Sequence, residues 1–381
     1  MDNLSEARAK IDAIDNEIAS LFRNRMEIVS EVAEVKRKAK ISVTDPARER
    51  EILQRVTKTC GKEIEDQTRL LFSTIFDISR SKQRTLMAGV SSIATQIELA
   101  QKAREEFPNR SLVACPGAEG AYAQQAVSSM FTLPTILYFN SFEKVFEAVE
   151  NGLCPYGVLP IENSAAGSVA SVYDLMQRHE FHIVRALRLK VDHVLLAPRG
   201  VKLSQIKRVV SHPHALAQCT NFLRAHPEIS QVPGSNTAVE AKKLGESGTP
   251  DTAVIASRRA AELYGLEVIA DKISDAAFNY TRFICISKNL EIYPDAGKFS
   301  IMLSLPHRPG ALGGIITKFS AINVNLTKLE SRPVPGMDFE FSFVFDFEAP
   351  PSDKSVLALL TELSTNPEIE HFTFLGAYKE R

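Results

Sequence analysis

Apolar side chains recur at alternating steps of three and four residues along the first 40 positions, the spacing that places them on one face of an α-helix. The pattern predicts a helix from about Leu4 to Lys40, roughly 55 Å long at about 1.5 Å per residue. Its apolar positions are Leu4, Ile11, Ile14, Ile18, Leu21, Ile28, Val32 and Val35. The rest of this segment is too short to cover such a face, so we expect a second copy of the chain to bury it in an intertwined dimer.

Three cations lie on or beside this apolar face. Arg25 occupies a position where the spacing calls for an apolar residue, and Arg8 and Lys36 lie along the edge toward either end. A buried cation without a partner is very costly, so the three together indicate an anion bound among the helices. Each one alone has an alternative role, because long basic side chains can extend into solvent and a single polar residue can fix helix register.

Two further helices follow in this segment. Asp45 and Pro46 predict the start of the second, because an aspartate cap followed by proline at the first helical position is a typical beginning, and the pattern continues through Val56. A third helix is predicted from about residue 65 to residue 83. Its inward face carries, at helical spacing, Phe72, Phe76, Ser79 and Gln83. Two neutral polar groups, Ser79 and Gln83, therefore continue an apolar face.

From Ser111 onward, short apolar runs alternate with helical patterns, which is typical of an α/β domain with a parallel or mixed sheet. The predicted strands are Leu112 to Cys115, Tyr156 to Leu159, His182 to Ala186, His193 to Ala197, Arg208 to Ser211, Thr252 to Ala256 and Phe283 to Ser287. Ligands in such folds bind where strands end and loops begin. The loops rich in hydroxyl and amide groups are Gly117 to Gly120, Glu162 to Ser164, Ser211 to His214 and Ser235 to Thr237.

The last segment predicts a small α+β domain with the element order βαββαβ. The predicted elements are a strand from Phe299 to Leu305, a helix beginning near Pro309, a strand ending near Ser331, a strand from Phe339 to Phe347, a helix from Ser352 to Ser364 and a strand from Ile369 to Tyr378. The chain is therefore predicted to be multidomain. We expect a helical domain at 1–88, a linker with a helical portion at 89–108, an α/β domain at 109–289 and the small domain at 297–381.

Composition narrows the classes of partner. The chain has 381 residues, of which 44% are hydrophobic and 24% charged, with a formal net charge of −1 and no basic block. We therefore expect neither nucleic acid nor a membrane as a partner. Five scattered cysteines without a paired spacing favour a reducing compartment and argue against a structural metal site. With a polar amino terminus and no apolar run of membrane-spanning length, the expected location is the cytoplasm.

The polar residues of the helical segment are cations, neutral donors and one carboxylate, without an evident nucleophile and base, metal cluster or cofactor loop. Such a set can hold a compact dicarboxylate and stabilise the charge that develops inside it during a unimolecular rearrangement. We expect no cofactor and no metal. The residues concerned are Arg8, Arg25, Lys36, Arg48, Glu49, Ser79 and Gln83.

The run from Arg8 to Asp15 and the charged positions that follow it make the first segment resemble the all-helical chorismate mutases. The resemblance implies that Arg8 reaches into the partner protomer's site and, with Arg25, binds the two carboxylates of chorismate. It also implies that Lys36 and Gln83 donate to the breaking ether oxygen and that Glu49 accepts from the ring hydroxyl. The wall of the site would be completed by Asp45, Arg48 and Ser79.

The middle segment resembles the prephenate dehydratases throughout, above all in the motif Asn279-Tyr280-Thr281-Arg282-Phe283. The resemblance implies a two-lobed domain, like that of periplasmic binding proteins, with Thr281 as general acid to the departing ring hydroxyl. Arg282 would hold substrate charge beside Phe283. The cleft would be lined by Glu162, Asn163, Ser211 and Gln218. The chain departs from the family at Ala121 and Ala123, where a hydroxyl residue usually follows the tyrosine between them.

The last segment resembles the ACT regulatory domain through two motifs, which begin at Pro309 and at Glu330. The resemblance implies a phenylalanine site at a domain interface, formed by Gly310, Ala311, Leu312, Glu330, Ser331, Arg332 and Pro333. Gly313 replaces a usual larger apolar residue, which would alter affinity or effector preference. An alternative is that this domain only dimerises.

Together the resemblances predict a bifunctional enzyme of phenylalanine biosynthesis that converts chorismate to prephenate and prephenate to phenylpyruvate. L-Phenylalanine would inhibit it, and it would be a homodimer or a higher homo-oligomer. Two alternatives remain open at this point. One is a catalytically silent amino-acid sensor, and the other is a dehydratase with an inactive helical arm.

Overall fold

Three helices form the amino-terminal domain, as the apolar spacing predicts. The computed structural model describes residues 2–87, 93–103, 105–276, 278–333 and 341–381. The helices are α1 (Asp2–Ala39), α2 (Pro46–Cys60) and α3 (Glu65–Met87), with a 3₁₀ turn at Lys62–Ile64. The Asp45 side chain accepts the Arg48 backbone N–H at 3.0 Å, so the predicted start of α2 is confirmed. Gly61, with φ of 84°, ends this helix in a conformation that few other residues adopt.

The long helix α1 packs on α3 through the edge of its apolar face rather than through the centre. Val29 and Ala33 are the α1 residues buried in this contact region. The predicted apolar positions themselves remain between 39% and 64% exposed in the single chain. They are Leu4, Ile11, Ile14, Ile18, Leu21, Ile28, Val32 and Val35. An apolar surface of this length is unusual on a monomer and is typical of an interface.

The predicted linker contains a helix that belongs to a domain core. Helix α4 (Ile93–Lys102) buries Ile97 and Ala100 in the hydrophobic core of the C-terminal domain. A helical portion was expected within 89–108 and is present, and its apolar face packs on residues that lie about 200 positions or more further along the chain.

The middle domain has two lobes, each built around its own sheet. The first lobe contains β1 (Arg110–Pro116), α5 (Tyr122–Met130), β2 (Leu133–Phe139), α6 (Phe142–Glu150), β3 (Tyr156–Asn163), β4 (Gly167–Ser168), α7 (Ala170–Arg178) and β5 (His182–Lys190). The second contains β6 (His193–Pro198), a 3₁₀ turn (Leu203–Gln205), β7 (Arg208–Ser211), α8 (Pro213–Ala217), α9 (Thr220–Ala225), β8 (Ser230–Pro233), α10 (Thr237–Ser247), β9 (Thr252–Ser257), α11 (Arg258–Tyr264) and β10 (Leu266–Ala270). The chain then returns to the first lobe through β11 (Tyr280–Ser287), which pairs with β3 and β5.

All seven strands predicted for this domain are present, and the three longer strands that the sequence did not predict are all at sheet edges. The second lobe has the order β10-β6-β9-β7-β8, so β8 and β10 are its two edges, and β2 is the edge of the other sheet. An edge strand is covered less completely than a central one, and its apolar pattern is correspondingly weak. Every residue of β8, for example, is exposed.

The C-terminal domain has the predicted order βαββαβ. Its elements are β12 (Lys298–Leu305), α12 (Ala311–Ala321), β13 (Leu326–Pro333), β14 (Phe341–Glu348), α13 (Lys354–Ser364) and β15 (Phe372–Glu380). The sheet order is β13-β14-β12-β15, and β15 continues into β5 of the first lobe through the parallel pairs Lys379–Arg185 and Glu380–Ala186. The two domains therefore share one ten-stranded sheet, in which β11 lies next to β5.

Candidate active sites

The helical domain brings three of its predicted site residues together. The Arg25 guanidinium donates to the Ser79 hydroxyl, and the Gln83 amide donates to the Ser79 carbonyl at 3.3 Å. Ser79 and Gln83 are buried, and Gln83 Oε1 has no hydrogen-bond partner among the described residues. Burial lowers the pKa of Arg25 from its ordinary value, because removal from water disfavours the charged form. The group is a half-buried cation beside neutral donors, and it suits an anionic ligand.

The other predicted residues of this domain lie around that group without joining it. Lys36 donates to the Val43 carbonyl at 2.7 Å, in the turn between α1 and α2. The exposed Arg48 is paired with Glu51 at 2.6 Å. Glu49 Oε2 accepts from Arg80 at 2.6 Å. Asp45 caps α2, and Arg8 lies exposed near the start of α1. Within the single chain, Arg8, Lys36, Asp45, Arg48 and Glu49 therefore do not contact the group of Arg25, Ser79 and Gln83.

The middle domain brings a hydroxyl and a set of amides together where β3 and β11 pair. Thr281 lies opposite Asn163 in this pair. The Asn163 amide nitrogen donates to Thr281 Oγ1 at 2.9 Å and to Asn279 Oδ1 at 2.8 Å. Its oxygen accepts the backbone N–H groups of Ala165 and Ala166. Hydrogen bonds at both its nitrogen and its oxygen therefore orient the Asn163 side chain. Asn163 in turn orients the Thr281 hydroxyl.

Gln218 extends this polar group into the second lobe. Its Oε1 accepts from the Asn279 amide at 3.0 Å and lies 3.0 Å from His193 Nε2. Burial lowers the pKa of His193 and outweighs the hydrogen bond to Gln218, so the imidazole is neutral near pH 7. Tyr122 donates to the Asp192 carbonyl at 2.7 Å, with its ring edge on to His193. This series of hydrogen bonds therefore connects the two lobes through uncharged side chains.

A cavity of about 400 Å³ opens beside this group. It is lined by Ala165, Ala166, His214, Ala217, Gln218, Ser274, Asp275, Ala276 and Asn279. Thr281 does not line this cavity but contacts Asn163 beside it, and within the described residues its hydroxyl accepts a hydrogen bond and donates none. A hydroxyl held in this way can protonate a departing oxygen, provided that the rest of the reaction drives the departure.

Three other predicted residues, Ser211, Phe283 and Glu162, have protein partners of their own. Ser211 is completely buried, and its hydroxyl donates to the Ile255 carbonyl at 2.6 Å. Phe283 is buried in the core of the first lobe. Glu162 stays near the motif, but its carboxylate accepts from Lys328 of the C-terminal domain at 2.9 Å. Ser211 and Phe283 therefore hold the lobes' own structure, and their placement does not support the predicted contact with a substrate.

Arg282 is the clearest correction, because its guanidinium lies between two domains instead of in the cleft. It donates to Asp346 at 2.6 Å and to the Tyr378 hydroxyl at 2.7 Å, and its Nε lies 2.6 Å from Glu380. Burial alone would lower the pKa of Arg282, but Tyr378, Asp346 and Glu380 outweigh it and raise the pKa above its ordinary value. A slip between Arg282 and Phe283 in the pairing of β11 with β3 accompanies this placement. The residue after Thr281 is thus fixed by the C-terminal domain.

The two predicted regulatory motifs lie apart within the chain. Gly310 and Ala311 line a cavity beside the helical domain. Leu312 packs on the C-terminal core, and Ser331 and Pro333 pair with β14. By contrast, Glu330 and Arg332 contact the middle domain. Glu330 accepts from the Ser168 hydroxyl, and Arg332 donates to Asp174 at 2.8 Å. The predicted single site is therefore not assembled within the described part of this chain.

The sequence reasoning missed four residues of these groups. They are Arg80 in the helical domain and Asn279, His193 and Tyr122 in the middle domain. Of these, Asn279 had a signal, since it belongs to the motif that carries the resemblance and directly precedes β11. The described residues contain no group of three or more His, Cys, Asp or Glu side chains placed to hold a metal ion. None of their helices combines the length and hydropathy that a membrane crossing requires.

Comparisons with known proteins agree with both halves of this description. The family model for chorismate mutase type II matches residues 7–84, and that for prephenate dehydratase matches residues 113–291. An Arabidopsis thaliana arogenate dehydratase/prephenate dehydratase is 38% identical over 285 residues, covering 71% of this chain and 73% of the relative. The bifunctional chorismate mutase/prephenate dehydratase of Escherichia coli is 29% identical over 367 residues, which cover 93% of this chain and 91% of the relative. The solved prephenate dehydratase of Arthrobacter aurescens in complex with L-Phe has a TM-score of 0.64 and 32% identity, covering 70% of this chain and 89% of that one.

Proposed function

This chain belongs to the prephenate dehydratase family and carries a chorismate mutase type II domain, and from that membership we infer a bifunctional enzyme of phenylalanine biosynthesis. It rearranges chorismate to prephenate and then converts prephenate to phenylpyruvate, with loss of carbon dioxide and water. The observation that carries this inference is that both family models match this one chain and that a bifunctional relative aligns with 93% of it.

For the rearrangement, we propose that Arg25, Ser79 and Gln83 bind chorismate with Lys36 and with Arg8 of a second protomer. Chorismate is a dianion that reacts without a nucleophile, so positioned donors at the breaking ether bond supply the catalysis. The proximity of Arg25, Ser79 and Gln83 supports this assignment. Glu49, Asp45 and Arg48 complete the site after the side chains rearrange around substrate, since Glu49 is paired with Arg80 in the free chain.

For the dehydration, Thr281 is the proposed general acid. The ring of prephenate becomes aromatic as carbon dioxide and the ring hydroxyl leave, and this gain drives the step. A neutral hydroxyl that gives its proton to the departing oxygen is then sufficient. The support is its hydrogen bond from Asn163, which orients Oγ1 and leaves its proton free. Asn279 and Gln218 bind the substrate on the cavity side.

Regulation and assembly form the third part of the proposal. The C-terminal domain acts as an ACT domain that senses L-phenylalanine, the molecule bound in the Arthrobacter aurescens complex. The exposed apolar face of α1 supports a homodimer or a higher homo-oligomer. The five cysteines are unpaired, which fits work in the reducing cytoplasm.

Arogenate is a second candidate substrate for the dehydratase half. The Arabidopsis thaliana relative, which is named for both arogenate and prephenate, is 38% identical, compared with 29% for the bifunctional relative. Arogenate carries an amino group where prephenate has a ketone. A comparison of kcat/KM for the two compounds, supplied at equal concentrations, decides between them.

The whole assignment is tested by supplying purified protein with chorismate and following phenylpyruvate. Formation of phenylpyruvate well above the uncatalysed rate is the expected result. A catalytically silent amino-acid sensor would leave chorismate unchanged. A dehydratase with an inactive helical arm would convert supplied prephenate but not chorismate.

A further inference from the structure

His193 is a buried titratable side chain to which the proposed dehydration gives no role. It is 4% exposed and is the first residue of β6, where the chain enters the second lobe. Its backbone N–H donates to Ser274 Oγ at 3.3 Å, and two residues earlier the Val191 N–H donates to the Asn279 carbonyl at 2.8 Å. The segments that connect the two lobes therefore hold His193 in place beside the residues that lead to Thr281.

The backbone decides how the first amide of this site is oriented. The Asn163 side chain accepts the backbone N–H groups of Ala165 and Ala166 at 3.0 and 2.9 Å, so the atom at this end is its oxygen. Its nitrogen therefore faces Thr281 Oγ1 and Asn279 Oδ1, at 2.9 and 2.8 Å. Thr281 thereby receives a hydrogen bond and keeps its own proton for the departing oxygen.

Gln218 and His193 take their orientations from this fixed amide. Because Asn163 donates to the Asn279 oxygen, the Asn279 nitrogen is the atom that faces Gln218, at 3.0 Å. The Gln218 atom that receives this bond is then its oxygen. The same oxygen lies 3.0 Å from His193 Nε2, so this nitrogen must carry a proton. The described residue that faces His193 Nδ1 is Tyr122, whose hydroxyl lies 3.5 Å away and already donates to a backbone carbonyl.

We propose that His193, with its proton on Nε2, is a positioning residue for the general acid Thr281. Its N–H holds the Gln218 oxygen, and the nitrogen of the same amide donates to the Asn163 oxygen at 3.3 Å. Asn163 in turn orients the Thr281 hydroxyl. Without the imidazole, the Gln218 oxygen would lose one of its two donors among the described residues, and the amide could rotate toward the cavity that it lines. Thr281 would then be aimed less accurately at the departing oxygen.

His193 acts as a fixed donor and not as a second acid or base. Burial lowers its pKa more than the hydrogen bond to Gln218 and the charge of Asp192 raise it, so the ring is neutral near pH 7. The Asp192 carboxylate is exposed and is paired with Lys190 at 2.9 Å. His193 does not line the cavity, so it reaches a bound molecule only through Gln218. This inference rests on the proposed function, because it deepens the role given to Thr281.

Two amides of different reach provide a matched pair of variants at this position. In His193→Gln, the side-chain nitrogen lies about as far from the backbone as imidazole Nε2 and can donate to Gln218, so kcat for prephenate dehydration is expected to stay within about threefold. In His193→Asn, the same amide is one methylene shorter and cannot reach, so kcat is expected to fall about tenfold to 100-fold. The loss should appear in kcat more than in KM. Mutase turnover and the melting temperature of the same preparations report whether each variant is folded.

Gln218→Met tests whether His193 acts through Gln218. Methionine has a similar length and removes both ends of the amide. In this background, His193→Asn is expected to change dehydration by less than about threefold, because the residue through which His193 acts is already absent. Losses that multiply in the double variant would mean that His193 acts by another route and would overturn the proposal.

The position of the proton is measured on the unchanged chain by ¹⁵N NMR with labelled histidine. His193→Gln identifies the resonances of this ring among the eight histidines. The expected result at pH 7 is a proton on Nε2 and none on Nδ1, whereas a proton on Nδ1 overturns the proposal. Equal losses of kcat in folded His193→Gln and His193→Asn also overturn it. Missing dehydration by the unchanged chain contradicts the proposed function, whereas an active enzyme with the proton on Nδ1 contradicts only the role of His193.

Discussion

The helical and middle domains contrast in how much of a site one chain assembles. In the middle domain, Thr281, Asn163, Asn279 and Gln218 form a continuous set of hydrogen bonds across two lobes. In the helical domain, Arg25 reaches Ser79, while Arg8 has an exposed position and the apolar face of α1 remains uncovered. The difference teaches that one folded chain brings the proposed dehydratase residues into contact, whereas the proposed mutase site requires the dimer that we propose.

The largest expected effect separates the two activities at Thr281. Thr281→Ala removes the proposed acid and should lower kcat for prephenate dehydration by about 100-fold to 10,000-fold, the usual contribution of general acid catalysis. Mutase turnover should stay unchanged, since Thr281 lies in another domain. Thr281→Ser keeps the hydroxyl and should retain much of the rate. Undiminished dehydration by Thr281→Ala would show that the acid is misassigned.

The reciprocal change is made at Arg25. Arg25→Ala removes a donor to the bound dianion and should lower mutase kcat/KM by about 100-fold to 1,000-fold, which corresponds to about 2.7 to 4 kcal/mol. Dehydration of supplied prephenate should be spared. Arg23→Ala is the control, because Arg23 is exposed on the same helix. Equal losses in both variants would remove the special role of Arg25.

The contact between the dehydratase and C-terminal domains is tested at Asp346. Asp346→Asn removes one of the two carboxylates that pair with the buried Arg282 and leaves Glu380, so it should destabilise the protein by about 1.5 to 3 kcal/mol. Asp271→Asn is the control, because Asp271 pairs with Arg258 on the surface, where both side chains are more than half exposed, and this pair should contribute less than about 1 kcal/mol. Urea denaturation measures both. If Arg282 binds substrate instead, Arg282→Lys will raise KM for prephenate without loss of stability.

The smallest expected effect concerns assembly. Ile18→Glu places a charge on the exposed apolar face of α1 and should shift the protein toward a smaller species in sedimentation velocity. Mutase activity should then depend on protein concentration and fall several-fold, while dehydration changes by less than about threefold. Ser20→Glu, on the opposite side of α1, is the control. A mutase rate independent of assembly would mean that one chain completes this site.

Local sequence patterns predicted most elements, because burial of one face leaves a regular spacing of apolar residues. Such patterns predicted the long α1, the start of α2 at Asp45 and the order βαββαβ of the C-terminal domain. The edge strands β2, β8 and β10 were missed because partial burial weakens the pattern. Spacing placed Arg25 on the apolar face of α1 and placed Ser79 and Gln83 on one face of α3, but only the packing of α1 on α3 brings Arg25 to Ser79.

The sequence by itself determined which faces are buried, which residue types carry the chemistry and to which families the segments are similar. Only the tertiary structure decided which neighbour covers each face. It turned Arg282 toward Asp346, packed α4 on the C-terminal core, and joined Arg84 to Glu362 across 278 positions of sequence. The physical reason is that periodicity records only that a side chain leaves water, whereas the identity of its partner depends on how distant segments pack together.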